Sequence, residues 1–135
     1  LFANKLVEKM DEWLKTDEGK LYDRDYRVSV LAYGITLTPP AKYNENTGEW
    51  EATAPEVRCD KKVMPWFAPL EIDWNYSIFD EKNKVYYNNF LGWMAISNEM
   101  SFYLYSTKFD KSLPGVFSAH AFAENGQDSM GETEG

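Results

Sequence analysis

The chain has 135 residues, of which 44% are apolar and 16% aromatic, with 14 basic and 22 acidic side chains and a formal net charge of −8. A chain of this length and apolar content can bury a core that offsets its ordering entropy, which argues against disorder. The negative balance opposes a sequence-independent grip on phosphate backbones, so no nucleic-acid partner is expected.

In chain order, Ala3, Leu6, Val7, Met10, Trp13 and Leu14 recur at helical spacing opposite Lys5, Glu8, Lys9, Asp11, Glu12 and Lys15, predicting an amphipathic helix that stops by Gly19. From Tyr26 to Thr38 the chain turns to β-branched, aromatic and apolar residues, with Val28, Val30, Leu31, Tyr33, Ile35 and Leu37, which predicts a long strand ended by Pro39 and Pro40. Tyr43 and Trp50 flank a polar stretch containing Asn44, Asn46 and Gly48, the signature of a short peripheral hairpin. Ala54 to Asp60 reads as briefly extended, and Pro65–Pro69 as an apolar loop bracketed by prolines.

Leu70, Ile72, Trp74, Tyr76 and Ile78 alternate with Glu71, Asp73, Asn75 and Ser77, a period of two that predicts a strand over 70–79. A polar turn at 80–84 returns it antiparallel through Val85 to Phe90. Leu91 to Ile96 is an apolar run with Gly92 as a bulge or tight connection, and strands are expected over 101–107 and 116–122. The expectation is an α+β domain over residues 1–123, with the N-terminal amphipathic helix packed on a mainly antiparallel, meander-like sheet. Residues 124–135 form an acidic tail with the composition of a disordered segment.

Charge is unevenly spread along this plan. Residues 41–60 carry two basic and five acidic groups and 113–135 carry none and four, whereas 1–27 carry six and seven and 61–112 six and six. Cys59 is the only cysteine, so no intrachain disulfide is possible and the redox compartment is left open. No apolar run is long enough to cross a bilayer, and no signal peptide is legible at the start. Because the chain begins at Leu1 rather than Met, removal of an anchor or signal is compatible with the sequence, and localisation is not assigned.

No catalytic motif is legible. His120, the only histidine, sits between Ala119 and Ala121 without the surroundings of a nucleophile elbow. One histidine and one cysteine cannot furnish a structural zinc site, no glycine cluster suits a phosphate loop, and no cofactor or metal is expected. On a strand, Glu71 and Asp73 would project from one face at roughly 7 Å, a spacing compatible with acid and base roles in glycan hydrolysis. The plainer reading of that pair is the solvated face of a hairpin.

The compositional excess is aromatic, with five Trp, nine Tyr and eight Phe. Amphipathic rings are enriched at recognition surfaces, which makes Trp66, Phe67, Trp74, Tyr86 and Trp50, with Glu71 and Asp73, the candidate binding residues; the competing reading places the rings in the core. The leading expectation is a non-enzymatic binding or assembly domain, of the inhibitor, immunity or structural-subunit kind. It would meet a protein partner, or a second copy of itself, through aromatic and acidic surface. The alternatives are a carbohydrate-binding or glycan-hydrolysing module using Trp66, Trp74 and Tyr86 with Glu71 and Asp73, and the soluble domain of a membrane-anchored envelope or filament protein.

Overall fold

Helix α1 (Phe2–Leu14) forms where the helical period places it. The computed structural model describes residues 1–22 and 24–104, and the backbone of 107–108 and 111–112. Past α1 the Thr16 hydroxyl bonds back to the Trp13 carbonyl at 2.7 Å and accepts the Gly19 N–H at 3.0 Å. Gly19 lies so close beneath the helix end that a Cβ there would stand 2.1 Å from the Trp13 carbonyl oxygen, so this glycine serves close approach. It opens a 3-10 turn over Gly19–Tyr22.

Strand β1 (Val28–Ala32) is much shorter than the stretch of β-formers predicts. Gly34 takes a positive φ of 55° in a 3-10 turn over Gly34–Thr36, and the Thr36 hydroxyl bonds the Leu31 carbonyl at 2.8 Å while accepting the Tyr33 N–H. Local bonds of this kind take backbone groups that a longer ladder would need. Strands β2 (Ala41–Asn44) and β3 (Glu49–Ala52) make the expected antiparallel hairpin. Asn44 closes its loop by accepting the Asn46 N–H at its side chain and the Gly48 N–H at its carbonyl.

Strands β4 (Val63–Phe67) and β5 (Ser101–Phe102) complete a three-stranded sheet of order β1-β4-β5, and both pairings are parallel. The chain is thus α+β, but its principal sheet is not the expected antiparallel meander. Roughly thirty residues separate β1 from β4 and again β4 from β5, lengths that suit crossover connections rather than hairpins. Pro65, Trp66 and Phe67 stand in the central strand instead of a loop. A central proline is tolerated because β5 pairs with β4 only from Trp66 onward, leaving one edge open at Pro65.

The strand expected over 70–79 and its partner over 85–90 do not form. The polar residues of the alternation bind their own backbone: Asp73 accepts the Asn75 N–H, Ser77 the Phe79 N–H and Asp80 the Lys82 N–H. Asn83, buried, accepts the Asp73 N–H at 2.9 Å and donates to the carbonyls of Asp73 and Ser77 at 3.0 and 2.9 Å. One amide thus fastens a chain of turns. Asp80 then caps a 3-10 turn over Glu81–Asn83 that feeds helix α2 (Lys84–Ile96), formed from residues expected as a strand and a bulge. Strands β6 (Thr107–Lys108) and β7 (Lys111–Ser112) pair antiparallel. The strand expected over 116–122, His120 and the acidic tail lie outside the described residues.

The chain divides into two compact units. One comprises Leu1–Ala68 and Asn89–Phe102; the other comprises Pro69–Asn88 and the described residues from Tyr103 on. In the first, Val63, Pro65 and Phe67 share one face of β4 with Val28, Val30 and Ala32 of β1. That face carries two joined clusters. Ala3 and Val7 of α1 pack with Val63, while Phe90, Trp93 and Ile96 of α2 pack with Ala32 and Phe67, and Cys59 touches both. Asn4 secures α1 by donating to the Arg58 carbonyl at 2.7 Å and accepting the Asp60 N–H at 2.9 Å.

Gly92 is where α2 meets the hairpin: a Cβ there would stand 2.6 Å from Pro39 Cγ and 3.3 Å from the Trp50 ring. Gly92→Ala removes the glycine penalty of a helix interior, worth about 1 kcal/mol. Overpacking against a rigid pyrrolidine ring outweighs that gain, and the expected outcome in urea titration is a net loss of about 1–2 kcal/mol.

Candidate binding surface

The seven residues singled out by sequence do not form one group. In the first unit, Phe67 is 0% exposed with its ring against Phe90 and Phe102, so it is a core residue and offers nothing to a partner in this conformation. Trp50 is half-buried, tilted against Tyr43 and backed by Gly92. Trp66, also half-buried, points to the opposite sheet face from Phe67, beside its register partner Leu31, which is exposed.

In the second unit, Tyr86 is half-buried and donates to the exposed Glu71 carboxylate at 3.3 Å; burial first, and then Glu71, push its hydroxyl pKa up. Trp74 is half-buried, and the Asp73 carboxylate accepts both the backbone and side-chain N–H of Asn75. The strand that would have set Glu71 and Asp73 on a common face is absent, so strand geometry no longer gives their spacing.

Among the described residues the most exposed aromatic ring is Phe2 of α1, next to a stripe that the sequence pattern had anticipated as core. At 100° per residue Phe2, Leu6 and Trp13 fall within about 40° of arc. Phe2 is 81% exposed, Leu6 38% and Trp13 40%, and Trp13 stacks at 5.7 Å on Tyr22, itself 58% exposed. The helix meets the sheet through Ala3 and Val7 instead. A clue was present in the sequence: the apolar arc is too wide for one contact, and its outer edge carries the largest rings. Beside the strip run Lys5, Glu8, Lys9 and Glu12, paired Lys5 with Glu8 at 2.6 Å and Lys9 with Glu12 at 2.7 Å.

A second grouping is charged. Asp11 of α1 accepts from Lys62 and from the Tyr26 hydroxyl, and the Lys62 ammonium stands 4.4 Å from the centre of the Tyr26 ring. The Lys62 bond, then the Tyr26 bond, hold the Asp11 carboxyl below its ordinary pKa of 3.8. Nearby, Asp25, Arg27, Lys61, Lys62, Asn98 and Glu99 line an open cavity of about 430 Å³, in which Arg27 bridges Asp25 and Glu99. Arg27 is thus held by Asp25 and Glu99, and Lys62 by Asp11.

No protein-family model, curated protein or solved structure matches this chain. Function therefore has to be argued from the side chains themselves. Cys59 is half-buried between the two core clusters, and burial pushes its thiol pKa up, which disfavours the nucleophilic thiolate. Among the described residues no three metal-type side chains come together, and no helix is long and apolar enough to cross a membrane.

The Asp11 arrangement gives a pH prediction. A carboxyl whose folded pKa is depressed adds stability that is complete above its unfolded value and is lost as pH falls through the folded value. Asp11→Asn should lower Tm at pH 7, and the gap to the unaltered chain should narrow as pH drops below 3.8. Thermal melts from pH 7 to 2 measure this; a gap that stays constant across the range removes the assignment.

Proposed function

We propose that this chain is a non-enzymatic binding or assembly domain that engages a protein partner through aromatic and acidic surface, and that the aromatic part is the α1 strip of Phe2, Leu6 and Trp13 with Tyr22. The observation that carries the reading is the Trp13–Tyr22 stack, two large rings held together in the open at one end of a helix whose other end exposes Phe2. Exposed rings leave water on association, and fully burying a large apolar side chain contributes about 1.5–3 kcal/mol. Trp and Tyr are also the residue types that most often dominate binding energy at protein interfaces. Because the stack is already made, less side-chain freedom is lost on binding.

The acidic part of the surface is the β2–β3 hairpin, where Glu45 and Glu49 are exposed beside an exposed Tyr43. Charge of one sign steers encounter and excludes like-charged competitors more than it adds affinity. A basic patch on the partner is the complement it calls for.

The test is site-specific photo-cross-linking in the native source, with a benzophenone side chain replacing Phe2. A discrete protein adduct that disappears in the Leu6→Glu background supports the reading. An adduct unchanged by Leu6→Glu, or no adduct from a chain shown to be folded, counts against it. Leu6 is exposed, so Leu6→Glu should shift Tm by no more than a few degrees.

A further inference from the structure

We infer that the α1 strip also pairs with the α1 strip of a second copy of this chain, the two helices running antiparallel. The inference rests on the reading of α1 as a binding face and adds a specific occupant and geometry. Charge favours this pairing. The chain carries −8 overall, which opposes self-association, but the polar flank of α1 is neutral, with Lys5 and Lys9 against Glu8 and Glu12. Turned antiparallel, a second α1 brings its Glu12 to Lys5 and its Lys5 to Glu12. The flank is therefore complementary to itself in the arrangement that a two-fold axis imposes, where residue i meets j and j meets i.

The exposed area suffices as well. The exposed fractions of Phe2, Leu6, Trp13 and Tyr22 correspond to roughly 450 Å² per copy, taking ~150–250 Å² for each aromatic side chain. Two copies cover roughly 900 Å² before the aliphatic stems of Lys5 and Lys9 are added, which brings the pair to the lower end of specific interfaces, about 1,000–1,200 Å². An interface of that size, with Leu6 near its middle, a Trp13–Tyr22 stack towards each end and exposed ion pairs along its rim, describes a reversible dimer. The expected dissociation constant is on the order of 100 µM.

Sedimentation equilibrium of the 135-residue chain from about 10 to 1,000 µM tests the inference. The expected result is a monomer–dimer equilibrium that Leu6→Glu weakens at least ten-fold while circular dichroism stays unchanged. Geometry is tested by charge exchange: Lys5→Glu and Glu12→Lys should each weaken the dimer several-fold, and the double variant should recover it. A monomer at every concentration overturns the inference, and so does a dimer indifferent to Leu6→Glu; recovery that fails in the double variant overturns the antiparallel arrangement. A monomeric chain that still forms a Leu6-dependent photo-adduct with another protein would remove self-pairing and leave the binding-face reading standing. Loss of the adduct together with a persisting Leu6-dependent dimer would do the reverse.

Discussion

Phe67→Ala should lower the free energy of unfolding by about 3–5 kcal/mol, the range found when a fully buried aromatic ring is truncated. Phe67 is 0% exposed at the end of the central strand β4, and its ring meets Phe90 edge-tilted at 5.9 Å and Phe102 edge-on at 5.9 Å. It shares one cluster with Ala32, Trp93 and Ile96, so the void would open where sheet and α2 meet. Against a typical total of about 5–15 kcal/mol, such a loss leaves the chain close to unfolding at 37 °C. Urea titration followed by Trp fluorescence measures it. Phe67→Leu, which retains most of the volume, should cost much less. A loss below about 1 kcal/mol for Phe67→Ala would mean the ring is not packed as described.

Asn83→Ala has an effect of similar size and a different signature. The Asn83 side chain accepts the Asp73 N–H and donates to the Asp73 and Ser77 carbonyls, all from a position that is 1% exposed. Each buried polar group left without a partner costs about 1–3 kcal/mol, so losing this hub should destabilise the turns over residues 69–83 by about 3–5 kcal/mol. The near-isosteric Asn83→Asp should not spare them, because an ionised carboxylate accepts hydrogen bonds but cannot donate to those carbonyls. Hydrogen exchange should register early loss of protection at the Asp73, Tyr76 and Asp80 amides, which belong to consecutive turns, while α1 and β1 keep theirs. Uniform loss of protection across the whole chain would contradict a local role for Asn83.

The sequence conveyed α1, the β2–β3 hairpin and the α+β class through strong local signals: a helical period, and Asn and Gly at loop positions. It misrepresented the stretch from Leu70 to Phe90. Period-two alternation there is real, but the intervening Asp73, Asn75, Ser77 and Asp80 are residue types that bond to their own backbone, and their competition against a ladder is invisible to a hydrophobic count. The parallel pairing of β1, β4 and β5 was illegible for another reason, since it joins segments far apart in sequence and no local residue preference encodes such a partner.

Among the candidate site residues the same division holds. Large rings drew attention to Trp50, Trp66 and Phe67, but ring size alone does not distinguish core from surface, and Phe67 proved to be core. The α1 strip was within reach of the sequence, because Phe2, Leu6 and Trp13 lie at the edge of an apolar arc wider than one sheet contact can cover. Tyr22 was not, since its stacking on Trp13 depends on the close turn that Gly19 permits.

Hydroxyl-radical footprinting, read residue by residue by mass spectrometry on the chain alone and in its photo-cross-linked complex, tests the binding face most directly. The account predicts rapid oxidation of Phe2, Trp13 and Tyr22 in the free chain, slow oxidation of Phe67 and Trp93, and strong protection of Trp13 and Tyr22 in the complex, where the cross-linker occupies position 2. Equal oxidation of Trp13 and Tyr22 in both states, with protection appearing elsewhere, would contradict it.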